Sequence, residues 1–206
     1  MAREKILEAA ALIFSQKGYH ATSMQDIADA VSLQKASLYH HFSSKQEILL
    51  ALLDRGLDVL TSRLEDVLIR PLPPAEKLRQ AMISYLCTIA EYQSLSAVLL
   101  LEHRSLEAEL RARHVPRRDR FERLWRDLIE QGKEAGLYDC HDPSLAGRAI
   151  LGVLNWSITW YRADGPNTAE EIAESFADLF LNGLLTRVGE NGQGTLPLIP
   201  QQADRI

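Results

Sequence analysis

Along this chain apolar positions recur three and four residues apart, and nowhere do they alternate as in a half-buried strand. Between Arg3 and Lys17 the positions Ile6, Leu7, Ala10, Ala11, Ile13 and Phe14 fall on one helical face, and Gly18 follows where a left-handed cap ends such a helix. Thr22 precedes Gln25 by the three residues of a capping box, which predicts a short helix carrying Met24, Ile27, Ala28 and Val31. Ser32 and Leu33 then form a turn before a third short helix, Gln34 to His40. Ser44, with Glu47 three residues on, caps a long helix that runs through Leu52, Leu57, Leu60, Leu64 and Leu68 until Pro71.

The segment Arg70-Pro-Leu-Pro-Pro cannot continue a helix, so a boundary between an N-terminal head and a larger body falls nearby, bridged by the long helix. Beyond it, Leu78, Met82, Tyr85, Leu86 and Ile89 mark one helix, and Leu95 to Leu101 a second that is apolar nearly all round and therefore expected to be central. Pro116 is expected to split the basic region 111–126 into two helices, the second ending at Gly132 or Gly136. Asp142 as cap and Pro143 at the first position open a helix reaching about Tyr161. Thr168, with Glu171 three residues on, caps a last helix lined by Ile172, Phe176, Leu179, Phe180, Gly183 and Leu184. The glycines and prolines after residue 186 bury no face, so a mobile tail is expected at 187–206. The expected fold is all-α: an N-terminal three-helix head at 1–46 and a helical body at 47–186.

The net charge of −5 argues against indiscriminate coating of DNA, so any nucleic-acid contact depends on a local patch. One stretch qualifies. From Ser32 to Phe42 the chain carries a lysine, a glutamine, hydroxyls and two histidines, and no acidic residue occurs between Asp29 and Glu47. Two short helices joined this tightly make a helix-turn-helix, whose second member lies in the major groove of double-stranded DNA. Thr22, Ser23, Ser37, Tyr39, His40 and Lys45 supply the hydroxyl, imidazole and ammonium groups that sort to phosphates. Gln34 and Lys35 are suited to adenine and guanine edges, and Leu33 or Ala36 to a thymine methyl.

Other chemistry is sparse. Cys87 and Cys140 lack the spacing of a disulfide framework or zinc site, and Glu102-His103, His114 and Cys140-His141-Asp142 do not gather three ligands on one face. No catalytic motif, metal site or cofactor is expected. The charged N-terminus lacks a signal-peptide core, and apolar runs such as Ala97 to Leu101 fall far short of the roughly 20 residues that span a bilayer, so a cytoplasmic protein without membrane contact is expected.

The stretch from Thr22 through Leu-Tyr-His-His-Phe (residues 38–42) to Lys45-Gln-Glu-Ile-Leu, preceded by Ile6-Leu-Glu-Ala-Ala-Ala-Leu-Ile-Phe and Lys17-Gly-Tyr, closely resembles the reading head of the tetracycline-repressor (TetR) family of bacterial regulators. About the first fifty residues carry the resemblance. It implies that Tyr39, His40 and Lys45 contact the DNA backbone and that Gln34, Lys35 and Ala36 are base readers. Ser32 and Ala36 stand where that family often has glycine. The resemblance also implies a homodimer joined through the last two helices, a palindromic operator and release by a small-molecule effector.

Met82, Tyr85, Leu99, Trp125, Trp156 and Trp160 are the candidate lining of an effector cavity, although aromatic residues at helical spacing also build plain cores. The segments Asn155-Trp-Ser-Ile-Thr-Trp-Tyr and Glu170 to Leu184 are similar to the end of family members that respond to acyl-CoA thioesters. The arginines Arg111, Arg113, Arg117, Arg118 and Arg120 then either meet CoA phosphates or form a solvated surface, and the second reading is the plainer one. Two other classes stay open, a helical small-molecule-binding enzyme and a protein-interaction module without DNA binding. Neither accounts for the acid-free reading helix.

Overall fold

The computed structural model describes residues 2–182; the tail expected at 187–206, and Gly183 and Leu184, lie outside them. Among the described residues the chain forms nine α-helices and no strand: α1 Ala2–Lys17, α2 Met24–Ala30, α3 Lys35–His41, α4 Lys45–Leu68, α5 Pro74–Glu91, α6 Gln93–Leu101, α7 Ala108–Glu134, α8 Pro143–Trp156 and α9 Ala169–Asn182. Short 3-10 turns follow α6, at His103–Ser105, and α8, at Ser157–Thr159.

The first three helices close over Ile6, Phe14, Ile27, Leu38 and Phe42, all fully or almost fully buried. Burying each such side chain contributes on the order of 1.5–3 kcal/mol. The long α4 leaves this small core and buries Leu49, Leu53, Leu57, Leu60, Leu64 and Val67 against α5, α6 and α7. Gly56 lets α4 approach α6 closely, since a Cβ there would sit 3.1 Å from the Leu99 side chain. α5 and α6 meet at Tyr92 with a 105° bend, which turns α6 back toward α1. No single helix among the described residues is long and apolar enough to cross a membrane.

Several ends follow the expected chemistry. Gly18 takes φ +85° and its N–H bonds the Phe14 carbonyl; Ser44 accepts from the Glu47 N–H; Asp142 accepts from the Ser144 and Leu145 N–H groups; Thr168 and Glu171 cap each other reciprocally. Just beyond the end of α7, Gly136 takes a φ of +70° that lets Leu137 N–H reach the Gly132 carbonyl.

Three expectations are corrected, and two small residues of the last helix are placed. Pro116 does not split the basic region, because α7 runs through it. The proline removes the N–H that would bond the Ala112 carbonyl, but both residues are exposed and water can take that acceptor. The cap of α2 is Ser23, with Asp26 completing the box, rather than Thr22 with Gln25; the Thr22 hydroxyl is buried and donates to the Gly18 carbonyl. α8 stops at Trp156, and the chain tightens into a 3-10 turn before Tyr161. The small residues of α9, Ala173 and Ala177, are buried within the subunit, where α9 packs chiefly on α5, so they do not form an outward face.

Candidate functional site

α2 and α3 are joined by the turn Val31–Gln34, in which Leu33 N–H bonds the Ala28 carbonyl at 2.9 Å and Ser32 N–H bonds Asp29 at 3.1 Å. Ser32 takes φ +55°, the left-handed conformation that favours glycine. On α3, Leu38 points into the core, while Gln34, Lys35, Ala36, Tyr39, His40 and His41 are exposed and Ser37 is half-buried. Gln34 is the cap residue rather than part of the helix, and its side chain makes no capping bond, so its amide remains available. The six polar or small residues expected to read and anchor DNA therefore share one open surface. Arg3 joins its margin, with its guanidinium 4.7 Å from the centre of the Phe42 ring. Sequence reading missed it because the contact crosses from one helix to another.

Thr22 and Lys45 are differently placed. Thr22 is 2 % exposed and spends its hydroxyl on Gly18, so it is corrected from a phosphate contact to a tie within the head. Ser23 remains exposed, with its hydroxyl bonded to Asp26. The Lys45 ammonium donates to the carbonyls of Tyr19 (2.8 Å) and Thr22 (2.6 Å) and lies 4.2 Å from the centre of the Tyr19 ring. Burial pushes its pKa below the usual lysine value. Two of its three N–H donors thus hold the loop before α2 against the start of α4.

That same loop meets the body. Tyr19 N–H donates to Oε1 of Glu102 at 3.1 Å, and His20 Nε2 lies 3.2 Å from the Ser105 hydroxyl. From α4, Gln46 donates to the Ser105 carbonyl and accepts from the Glu107 N–H. The short segment after α6 is therefore clasped by the head on two sides.

Its other side walls a cavity of about 630 Å³ enclosed by α4 to α8. By area the lining is mostly apolar, with Leu57, Leu60, Leu99 and Phe121 among it; its polar side chains include Tyr85, Asn155, Glu122 and three arginines. Tyr85 is buried, its phenol pushed well above the usual pKa by desolvation, and it donates to Asn155 of α8. His103 and His114 also face the cavity. Of the six residues expected to line it, Tyr85, Leu99 and Trp156 do. Met82 and Trp125 do not: both are fully buried in the core, Trp125 standing behind Tyr85 with ring centres 5.8 Å apart. Trp160 stands outside, its ring edge-on to Phe176 of α9. Chemical type alone does not tell a lining residue from the layer behind it. His114 went unassigned because its partner, Asp54, lies 60 residues away on α4.

The arginine cluster divides. Arg117 pairs with Asp58 at 2.6 Å and Arg120 with Glu65 at 2.7 Å, both acids of α4, and exposed Arg113 lies outside the cavity. Arg111 and Arg118, joined by Arg104, border the cavity. Arg118 is partly neutralised by Asp119 at 3.2 Å and Glu122 at 3.4 Å, whereas Arg104 has no acidic partner among the described residues.

Comparison with known proteins finds two family models along the chain. A family model described as "Bacterial regulatory proteins, tetR family" matches residues 6–52, and one described as "Tetracyclin repressor-like, C-terminal domain" matches residues 71–184. The HTH-type transcriptional repressor KstR2 of Mycobacterium tuberculosis is 32% identical over 184 residues, covering 88% of this chain and 92% of that protein. Among solved structures, the TetR family transcriptional regulator PfmR from Thermus thermophilus is 42% identical with a TM-score of 0.82, over 88% of this chain and 99% of that one. AibR in complex with isovaleryl coenzyme A and operator DNA is 30% identical, also with a TM-score of 0.82, over 88% and 98% of the two chains.

Proposed function

The chain belongs to the tetracycline-repressor family and is a DNA-binding transcriptional repressor, not an enzyme; from that premise we propose that it binds a palindromic operator as a homodimer and is released by an amphiphilic effector held in the cavity between α4 and α8. In this reading residues 1–46 are the DNA-binding domain, and the effector-binding and dimerisation body begins at 47 and ends near 186. The repressor acts in the cytoplasm.

Gln34, Lys35 and Ala36 read bases, and Ser23, Ser37, Tyr39 and His40 anchor the backbone; the exposure of all but half-buried Ser37 supports both roles. Lys45 orders the loop that carries Ser23, with one N–H left for a phosphate. The dimer forms through α8 and α9. Support comes from the large apolar side chains they leave exposed: Trp156 is 67% exposed, and Leu145, Leu179 and Phe180 accompany it, with Trp160 just beyond α8.

An apolar cavity bordered by Arg104, Arg111 and Arg118 suits an apolar tail with an anionic head, the chemistry of an acyl-CoA thioester. The presence of isovaleryl coenzyme A in the structure of AibR supports the same class.

The observation that carries the ligand response is the double duty of the segment from Leu99 to Ser105. Leu99 to Leu101, His103 and Arg104 wall the cavity, while Glu102 and Ser105 hold the head. An effector that moves one side of this segment moves the other, and α4 spans the same two regions. Selecting bound sites from a random DNA library, then adding a series of acyl-CoA thioesters, tests the proposal. It requires two-fold symmetric sites with half-sites about 34–36 Å apart and loss of binding with at least one thioester. Asymmetric sites would refute the paired heads, and indifference to every thioester would refute the effector class.

A further inference from the structure

Two histidines on the cavity wall share a hydrogen-bonding state. His114 of α7 is only 5% exposed, and its Nδ1 lies 2.9 Å from Oδ1 of Asp54 on α4. The Arg117 Nε stands 3.6 Å from the other oxygen of Asp54. A carboxylate only accepts, so Nδ1 carries the proton and, in the neutral ring, Nε2 is a bare lone pair. Nδ1 of His103 lies 3.1 Å from the Leu100 carbonyl, which likewise only accepts. Burial lowers the His103 pKa. Among the described residues neither Nε2 has a protein partner.

The cavity is thus sorted by polarity. Its arginines present donors, which suit an anion, whereas its histidines present acceptors, which suit a donor. A molecule bearing only ether, ester or ketone oxygens would displace water from His114 and leave a buried acceptor unpaired. Such an omission is what a polar pocket discriminates against most strongly.

Resting on the reading of this cavity as the effector site, we infer that His114 is its specificity-determining residue, its Nε2 accepting from a hydroxyl or amide N–H on the effector's apolar part. Asp54 fixes the tautomer. Because Asp54 belongs to α4, a load on the ring is also a load on the helix that leads to the head.

The test compares decanol with its isomer methyl nonyl ether as competitors for anilinonaphthalene sulfonate bound to the full chain, at a pH above the ordinary imidazole range near ~6.5. The ratio of displacing concentrations, ether over alcohol, is expected to be about five-fold larger in the wild type than in His114→Asn, a difference typical of one hydrogen bond. The asparagine amide keeps a donor for Asp54 but supplies nothing at the Nε2 position. A second reading needs no variant: the His114 Nε2 nitrogen resonance of the wild type stays near its water-bonded position on adding decanol, whose hydroxyl replaces the water, and moves toward that of a free lone pair on adding the ether. Equal ratios in the two proteins, or equal resonance shifts with the two compounds, overturn the role of His114 while leaving the effector cavity standing. Failure of both compounds to displace the dye overturns the cavity reading and this inference with it.

Discussion

Tyr19 and Glu102, 83 positions apart, are joined by a hydrogen bond of 3.1 Å from the backbone N–H of the first to the carboxylate of the second. The other oxygen of Glu102 accepts from the Ser105 hydroxyl, so one side chain ties the head to the segment that walls the cavity. Glu102→Ala is expected to leave effector affinity within about two-fold and to lower the factor by which saturating effector weakens operator binding by about five-fold, within the usual range of coupling energies. Fluorescence anisotropy of labelled operator, with and without effector, measures it. An unchanged factor would show that coupling runs through α4 alone.

The cap of α2 gives a pH signature. The Ser23 hydroxyl and N–H, with the Lys17 ammonium, hold the Asp26 carboxyl down to about 2 from its usual 3.8. A depressed carboxyl pKa adds stability that is present in full above the unfolded value and lost as the pH falls through the folded one. The contribution of Asp26 is therefore expected to persist down to pH 3.8 and to vanish through about 2. NMR titration of Asp26 in the folded chain checks the midpoint, and Ser23→Ala should move it upward toward 3.8.

Ser32 occupies a glycine conformation. Ser32→Gly relieves the left-handed penalty but frees the unfolded chain, for a net gain of about 0.5 kcal/mol; Ser32→Val should cost about 1–2 kcal/mol. Urea unfolding of both variants measures the pair, and a Val variant as stable as wild type would contradict the assigned turn.

The head is the part most legible from sequence, because its helices are short, locally capped and patterned by near neighbours. Gly18, Ser44 and Leu38 carry their roles in their own immediate context. The slip from Ser23 to Thr22 came from a box completed by aspartate instead of the glutamate or glutamine usually sought, beside a second hydroxyl that burial takes for another task. Pro116 misled because the penalty for a proline in a helix depends on whether the freed carbonyl meets water, which exposure decides and composition does not. The cavity is less legible still. His114 and Asp54 stand 60 residues apart and Tyr85 and Asn155 stand 70 apart, and only the packing of α4, α5, α7 and α8 brings these pairs together.

The exposed apolar side chains of α8 and α9 make a dimer prediction. Leu179→Glu combined with Phe180→Glu introduces charge where a partner would bury apolar surface, and should weaken dimerisation by about 30-fold or more. Sedimentation should find monomer, circular dichroism should find the helices intact, and operator affinity should fall with the dimer. A stable dimer of the double variant would move the interface elsewhere.

The central claim is that operator and effector oppose each other through one shared body. Linkage requires that the factor by which effector weakens operator binding equal the factor by which operator weakens effector binding. The direct measurement titrates an acyl-CoA thioester that releases the operator into the free protein and into the operator complex by calorimetry. The expected result is weaker binding to the complex, by a factor of about 5 to 150 that matches the one from operator titration. Equal affinity for free and operator-bound protein would contradict the account.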